Sequence, residues 1–209
     1  MDRDTLKENV RAKMDELAPD DQVSTHPIST HINKELDQAA IFILENAPLH
    51  LLDHTAIDGT DDSLSIHDAS NKVNYVKVPD GFLRLACFMF SDWERPVHSF
   101  ISQESNEYSL QANPFTKAGK AKPVVVQVIA KPPTQSSYGR WLMCGEVENA
   151  DTGAQLHYIK SDVAEGLPDR LSEAIEWLTA ARLFQIFGMG EKSQAAVQKY
   201  MEFMASKTV

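Results

Sequence analysis

This chain is poor in long apolar runs, in cysteine, in basic charge and in phosphate-gripping glycine patterns. Each shortage removes a class of function. No stretch approaches the ~20 consecutive apolar residues that span a bilayer, and the mean hydropathy is -0.32, so the sequence predicts a soluble protein with no membrane partner. The opening residues, MDRDTLKENVRAKMDEL, are charged and lack the apolar centre of a signal peptide. Synthesis in a cytoplasm is the expectation. The two cysteines, Cys87 and Cys144, cannot make a disulfide framework in 209 residues. Both sit in apolar, strand-like runs and read as small core residues. Neither has a Cys or His at ligand spacing.

Basic residues number 20 against 30 acidic ones, giving a net charge of -10 and a pI near 5.1. Gripping duplex DNA needs clustered Lys and Arg to displace counterions, so sequence-specific DNA binding is disfavoured. A surface past which DNA slides remains compatible, because an acidic wall repels phosphate. For any single acidic residue, solubility is the plainer reading.

The chemistry-bearing motifs are sparse. His50 and His54 stand four apart beside Asp53 and Asp58, a spacing that can hold a metal on a helix. Pro48 before them and Asp58-Gly59 after them argue against a helix, and no Glu adjoins the first histidine as in metalloproteases. Asp58-Gly59-Thr60-Asp61-Asp62 resembles half of a calcium loop but lacks its alternating oxygens and closing Glu. It reads as a turn. There is no Gly-x-Ser-x-Gly elbow and no phosphate loop. Gly188-Met189-Gly190-Glu191-Lys192-Ser193 comes nearest, and a turn between helices explains it better. The sequence therefore assigns no catalytic residue, no cofactor and no metal ligand.

What is present is a change of periodicity along the chain. In residues 2–17, Leu6, Val10, Met14 and Leu17 recur at helical spacing. Ser29 is a candidate N-cap for a second helix with an apolar stripe of Ile32, Leu36, Ala39, Ala40, Ile43 and Ala47. Ile41, Phe42 and Leu44 widen that stripe, which predicts a helix sandwiched between neighbours. From about residue 50 the helical pattern fades. Residues 73–78, 83–90, 123–130, 140–147 and 155–160 read as strands, about six in all. The run 83–90 is continuously apolar, so both of its faces are expected to be covered. Residues 149–153, NADTG, give a hairpin signal. Helix returns after Pro168, a candidate first helical residue. Leu171, Ile175, Leu178, Arg182 and Gln185 form one line, with Ala174, Leu178, Ala181 and Phe184 as its apolar neighbour. A last helix over 194–205 is expected to turn Val197, Tyr200, Met201 and Met204 inward. The fold class is α+β: residues 1–49 and 162–209 form an antiparallel helix bundle, and residues 50–161 form an inserted β-sandwich or partly open barrel.

Residues 78–115 carry no catalytic signature and look built for contacts between subunits. Trp93, Arg95, Tyr108 and Phe115 are of types enriched at interface hot spots, although some must be core. Lys117, Lys120 and Lys122 form a small basic island in an acidic chain. A solvated loop is its plain reading, and contact with an acidic partner its sharper one.

With this layout the chain resembles the head–tail adaptor (connector ring) proteins of tailed bacteriophages, notably those of short-tailed and crAss-like phages. The matching stretches are residues 31–47, the segment VPDGFLRL from Val78, the turn WERPV from Trp93 with residues 108–115, and the late helix ARLFQIFG from Ala181 with the helix after it. The resemblance spans most of the chain and is one of layout. It implies a non-enzymatic virion protein at the head–tail junction, made in the host bacterial cytoplasm. It also implies a homo-oligomeric ring, typically of twelve copies, whose partners are the portal, downstream tail proteins and passing duplex DNA. Some members carry a long C-terminal arm that embraces the portal. Only Ser206-Lys207-Thr208-Val209 follows the last predicted helix, so the likeness does not extend to that arm. A tail-tube or terminator ring is the neighbouring alternative, and a small metal enzyme using His50, His54 and Asp58 is the more distant one.

Overall fold

A computed structural model describes residues 2–18, 28–59, 65–113, 115–145, 154–161 and 164–207. The fold is mixed α+β, and it divides into two compact units, residues 1–53 with 161–209 and residues 54–160.

In the first unit, α1 (Arg3–Leu17) starts where the Asp2 carboxylate accepts from Thr5 N–H at 3.3 Å. Its Leu6, Val10 and Met14 share one buried face, as their spacing dictates. Arg3 joins α1 to α2 (Ile28–Asn46) by donating to both carboxylate oxygens of Asp37 at 3.0 and 2.9 Å. The α2 stripe is buried at every expected position. Two expectations for this helix need correction. It begins at Ile28, which places Ser29 inside the first turn rather than at the cap. Leu44 is buried, but Ile41 and Phe42 are 36% and 43% exposed, so α2 is covered on one side only.

The hub is α4 (Ser172–Ile186), in which residues 174–181 are all buried together with Leu183 and Phe184. It packs against α1, α2 and α5 (Gly190–Lys207), which is why it is buried over most of its circumference. The small Ala174, Ala180 and Ala181 let its neighbours approach closely. Pro168 caps a 3-10 turn, Asp169–Leu171, and lies outside the α-helix it was expected to open. Between α4 and α5, Gly188 adopts φ 76°. Gly188 N–H donates to Gln185 O at 3.1 Å and Met189 N–H to Phe184 O at 2.8 Å, the paired bonds of a Schellman ending. The last helix starts four residues earlier than periodicity suggested and has one fully buried residue, Ala196. Met201, expected to face inward, is 61% exposed, because α5 lies mainly on α4 and only its near side is covered.

Among its described residues the second unit holds eight strands: β1 (Thr55–Gly59), β2 (Ser65–Asp68), β3 (Val73–Lys77), β4 (Phe82–Phe90), β5 (Ile101–Ser102), β6 (Val125–Ala130), β7 (Gly139–Gly145) and β8 (Ala154–Lys160). They form two sheets, ordered β1-β8-β4 and β2-β3-β7-β6-β5, which are not closed into a barrel. One core takes Phe82, Leu85, Phe88, Leu156 and Tyr158 from the first sheet and Val76, Val125, Leu142 and Cys144 from the second.

Three strand expectations change. Asp58 and Gly59, read as a turn, pair with Gln155 and Ala154 within β1. The hairpin expected at 149–153 lies outside the described residues, yet its flanking strands are not partners. β7 is bonded on its two sides by β3 and β6, and β8 by β1 and β4. Both are central strands with no free edge, so the chain crosses from one sheet to the other there. The continuous apolar run of β4 also has a different cause from burial on both faces. Register shifts between Phe82 and Arg84 and between Leu85 and Cys87 each insert an extra residue. Phe82, Leu85, Phe88 and Phe90 thereby all reach the core, while Leu83, Cys87 and Met89 are half-buried.

Candidate interaction surface of the β unit

Strand alternation gives the five-stranded sheet a second apolar face, opposite the shared core. Tyr75, Val126, Val128, Trp141 and Met143 lie on it. The short helix α3 (Asn106–Ser109), capped by the Ser105 hydroxyl accepting from Tyr108 N–H at 3.2 Å, brings Tyr108 onto this face. An open groove of 440 Å³ remains, with Val73, Tyr75, Val126 and Met143 in its apolar lining and Tyr108 and Lys117 also on its wall. Gly145 lines it too, and a Cβ there would meet nothing within 4 Å.

Acid stands beside the groove. Asn71 is part of the lining, and its side-chain amide donates to the Asp68 carboxylate at 2.8 Å. That bond is the main reason the Asp68 carboxyl is held below its ordinary value. Burial pushes the Tyr75 phenol up, helped by the negative charge of Asp68 and by Tyr108.

Next to the groove, the loop over residues 115–122 is held by its own hydrogen bonds. The Asn113 side chain accepts from Phe115 N–H at 3.0 Å. The Asn113 carbonyl accepts from Thr116 N–H at 3.1 Å and Lys117 N–H at 2.9 Å. The Thr116 hydroxyl donates to Leu110 O at 2.6 Å, and Ala118 N–H donates to Gln111 Oε1 at 2.8 Å. Gly119 and Lys122 exchange both backbone bonds at 3.2 and 3.1 Å. This framework holds the Phe115 side chain 96% exposed. A loop fixed in this way loses little freedom on binding, so its aromatic side chain is a pre-organised anchor.

The candidate residues separate by place. Trp93 is core: it is 5% exposed and meets Phe88 and Phe90 edge-to-face at 5.5 and 5.1 Å. Arg95 is exposed on the turn beyond it. That turn is tied to the basic loop, because Glu94 N–H donates to Lys120 O at 3.1 Å and Lys120 Nζ lies 3.1 Å from the Asp92 carboxylate. Tyr108 and Lys117 line the groove. Phe115 and Lys122 face solvent. Sequence reasoning missed Ile129 and Tyr138, which are 72% and 74% exposed at the end of the β6–β7 hairpin. The alternation Val125, Gln127, Ile129 carried a signal for the first: Val125 reaches the shared core and Ile129 overruns it.

The residues weighed for chemistry are dispersed. His50 lies in a 3-10 turn, Leu49–Leu51, so the helical spacing to His54 is absent. Asp53 pairs with Arg170 at 2.6 Å, and the His54 ring meets His157 edge-on at 5.7 Å. Among the described residues, no group of three or more His, Cys, Asp or Glu could hold a metal ion. Cys144 is fully buried and its thiol is pushed far up by burial, while Cys87 is half-buried. No described helix is long and apolar enough to cross a membrane. No family model matches the chain, and no curated protein matches it.

Proposed function

We propose that this chain is a non-enzymatic structural subunit of a tailed-phage virion, one copy in an adaptor ring between portal and tail. The observation that carries the reading is large apolar side chains left exposed on both units. Ile41, Phe42, Ile186 and Met201 are exposed on the helical unit, and Phe115, Ile129 and Tyr138 on the β unit. A ring subunit must be covered on two flanks and at two axial ends, which requires separate anchor points. The net charge of -10 suits a wall past which DNA slides without sticking.

The three most exposed of these side chains belong to the β unit. That favours, as a second reading, a tail-tube or terminator ring whose contacts are led by the β lobe.

Light scattering and negative-stain imaging with and without a portal ring test the proposal. Rings that form alone or only on the portal are the expected result. A chain that forms no ring either alone or on the portal would overturn it.

A further inference from the structure

The dipeptide Asp-Gly occurs twice, at Asp58-Gly59 and Asp80-Gly81, and the fold treats the two differently. Asp58 and Gly59 belong to β1, where they pair with Gln155 and Ala154 of β8. Asp80 and Gly81 are both exposed, in the turn that carries the chain from β3 to β4. Phe82 N–H donates to Pro79 O at 3.2 Å, and Gly81 holds φ 75°. Among the described non-glycine residues only Lys72 has a positive φ, so Asp80 does not. This is a type II turn with Asp80 and Gly81 at its centre. Among the described residues the Gly81 N–H has no hydrogen-bond partner.

We propose that Asp80 is a site of spontaneous aspartyl isomerisation, which converts an α-linked main chain to a β-linked one. The Gly81 nitrogen bonds to the side-chain carboxyl carbon of Asp80. That carbon gives up its hydroxyl and the nitrogen its proton, together one water, and a five-membered succinimide closes. Water then adds to one of the two ring carbonyls. Breaking the new C–N bond restores aspartate. Breaking the original Asp80–Gly81 bond instead leaves Gly81 joined through the side chain, with a free α-carboxylate on Asp80. Water is lost and regained, nothing is oxidised or reduced, and no enzyme is required.

The turn favours this closure. Glycine has no side chain to shield its nitrogen, and the Gly81 N–H has no bond to break first. Swinging that nitrogen to the carboxyl carbon opens the single turn bond, whereas at Asp58 it must unpair the end of β1 from β8. Each further bond that has to open slows the step by about fivefold. The product lengthens the main chain by one methylene between two core positions. Val78 is 6% exposed and donates its N–H to Arg140 O at 3.3 Å. Phe82 is 7% exposed and stacks on Tyr158 with ring centroids 5.6 Å apart. The aged chain is therefore expected to unfold at lower urea than the fresh one. This chemistry does not depend on whether the chain forms rings.

The test compares the whole chain aged in its native state with the same chain aged in urea. Tryptic peptides are resolved by liquid chromatography. The β-aspartyl residues are located by tandem mass spectrometry and by methyl transfer from S-adenosylmethionine with a protein isoaspartate methyltransferase. In urea the two sites should react at similar rates, because only local sequence acts there. In the native state Asp80 is expected to outpace Asp58 by at least about fivefold. Asp80→Glu, which would have to close a six-membered ring, should remove the signal from the peptide of residues 78–84. A native chain that keeps Asp80 intact while the urea-treated chain loses it would overturn the proposal. Equal accumulation at both sites in the native state would do the same, as would an unchanged signal in Asp80→Glu.

Discussion

Arg182 of α4 donates through Nε to the Glu35 carboxylate of α2 at 2.7 Å, across 147 positions of sequence. Glu35 is 8% exposed at its side chain and Arg182 34%. Removing the cation strands a buried carboxylate. Arg182→Ala is expected to cost about 2 kcal/mol, below the usual range for a fully buried pair because Arg182 is partly solvated. Glu35→Leu combined with Arg182→Met should recover most of that loss. Urea titration of the three chains measures both effects.

Trp93 and Phe115 were equal candidates for an interface, and their stabilities should separate them. Trp93→Ala empties a site between Phe88 and Phe90 and is expected to cost roughly 3–5 kcal/mol. Phe115→Ala should change stability by less than about 0.5 kcal/mol, since the side chain contacts mostly solvent. Denaturant midpoints decide this. Equal losses would contradict the placement of both residues.

Glu176 is buried on α4, and burial raises its carboxyl above the usual 4.5, opposed by the Asn9 hydrogen bond and by Lys13. In the native state it therefore holds its proton to higher pH than in the unfolded chain. Stability should fall as pH rises through the interval from about 4.5 to the raised native value, and the full penalty applies above it. Glu176→Gln can still accept from Asn9. It should stabilise the protein at pH 7.5 and leave it unchanged below pH 4. Thermal melts across that range provide the check, and a variant less stable at pH 7.5 would refute the sign.

Two glycines of one turn should respond in opposite directions. Gly188 holds φ 76°, a region costly for side-chain-bearing residues, so Gly188→Ala should destabilise by about 1 kcal/mol. Gly190 opens α5 with nothing near its Cβ direction. Gly190→Ala should stabilise by up to about 1 kcal/mol through helix propensity and a less free unfolded chain. Melting temperatures report both.

The parts legible in sequence were those set by local periodicity. Leu6, Val10 and Met14 of α1, the six-residue stripe of α2 and Leu85, Phe88 and Phe90 of β4 announced themselves by spacing and are covered by the core, whereas Leu17 at the end of the α1 stripe is half-buried. Partner choice was not legible. The turn residues at 149–153 suggested that β7 and β8 pair, yet each strand already has neighbours on both sides from elsewhere in the chain. The two-residue β5, bonded in parallel to β6, is too short to show a period. Met201 carried an inward-facing pattern, but only the neighbours decide which part of a helix is covered. At the candidate surface, residue types flagged Phe115 and Trp93 alike, and only hydrogen bonds around Asn113 and aromatic contacts around Phe88 tell them apart.

The central place of α4 constrains when the protein can fold. Its apolar surface is the partner that α1 and α2 bury against, yet well over a hundred residues separate it from them in sequence. At ribosomal rates of about 5–20 residues per second, the early helices wait on the order of ten seconds for that partner. The β unit, continuous from residue 54 to 160, emerges from the ribosome ahead of α4. Stalled nascent chains should therefore gain protease protection across the sheets first, and across α1 and α2 only once α4 is clear of the exit tunnel.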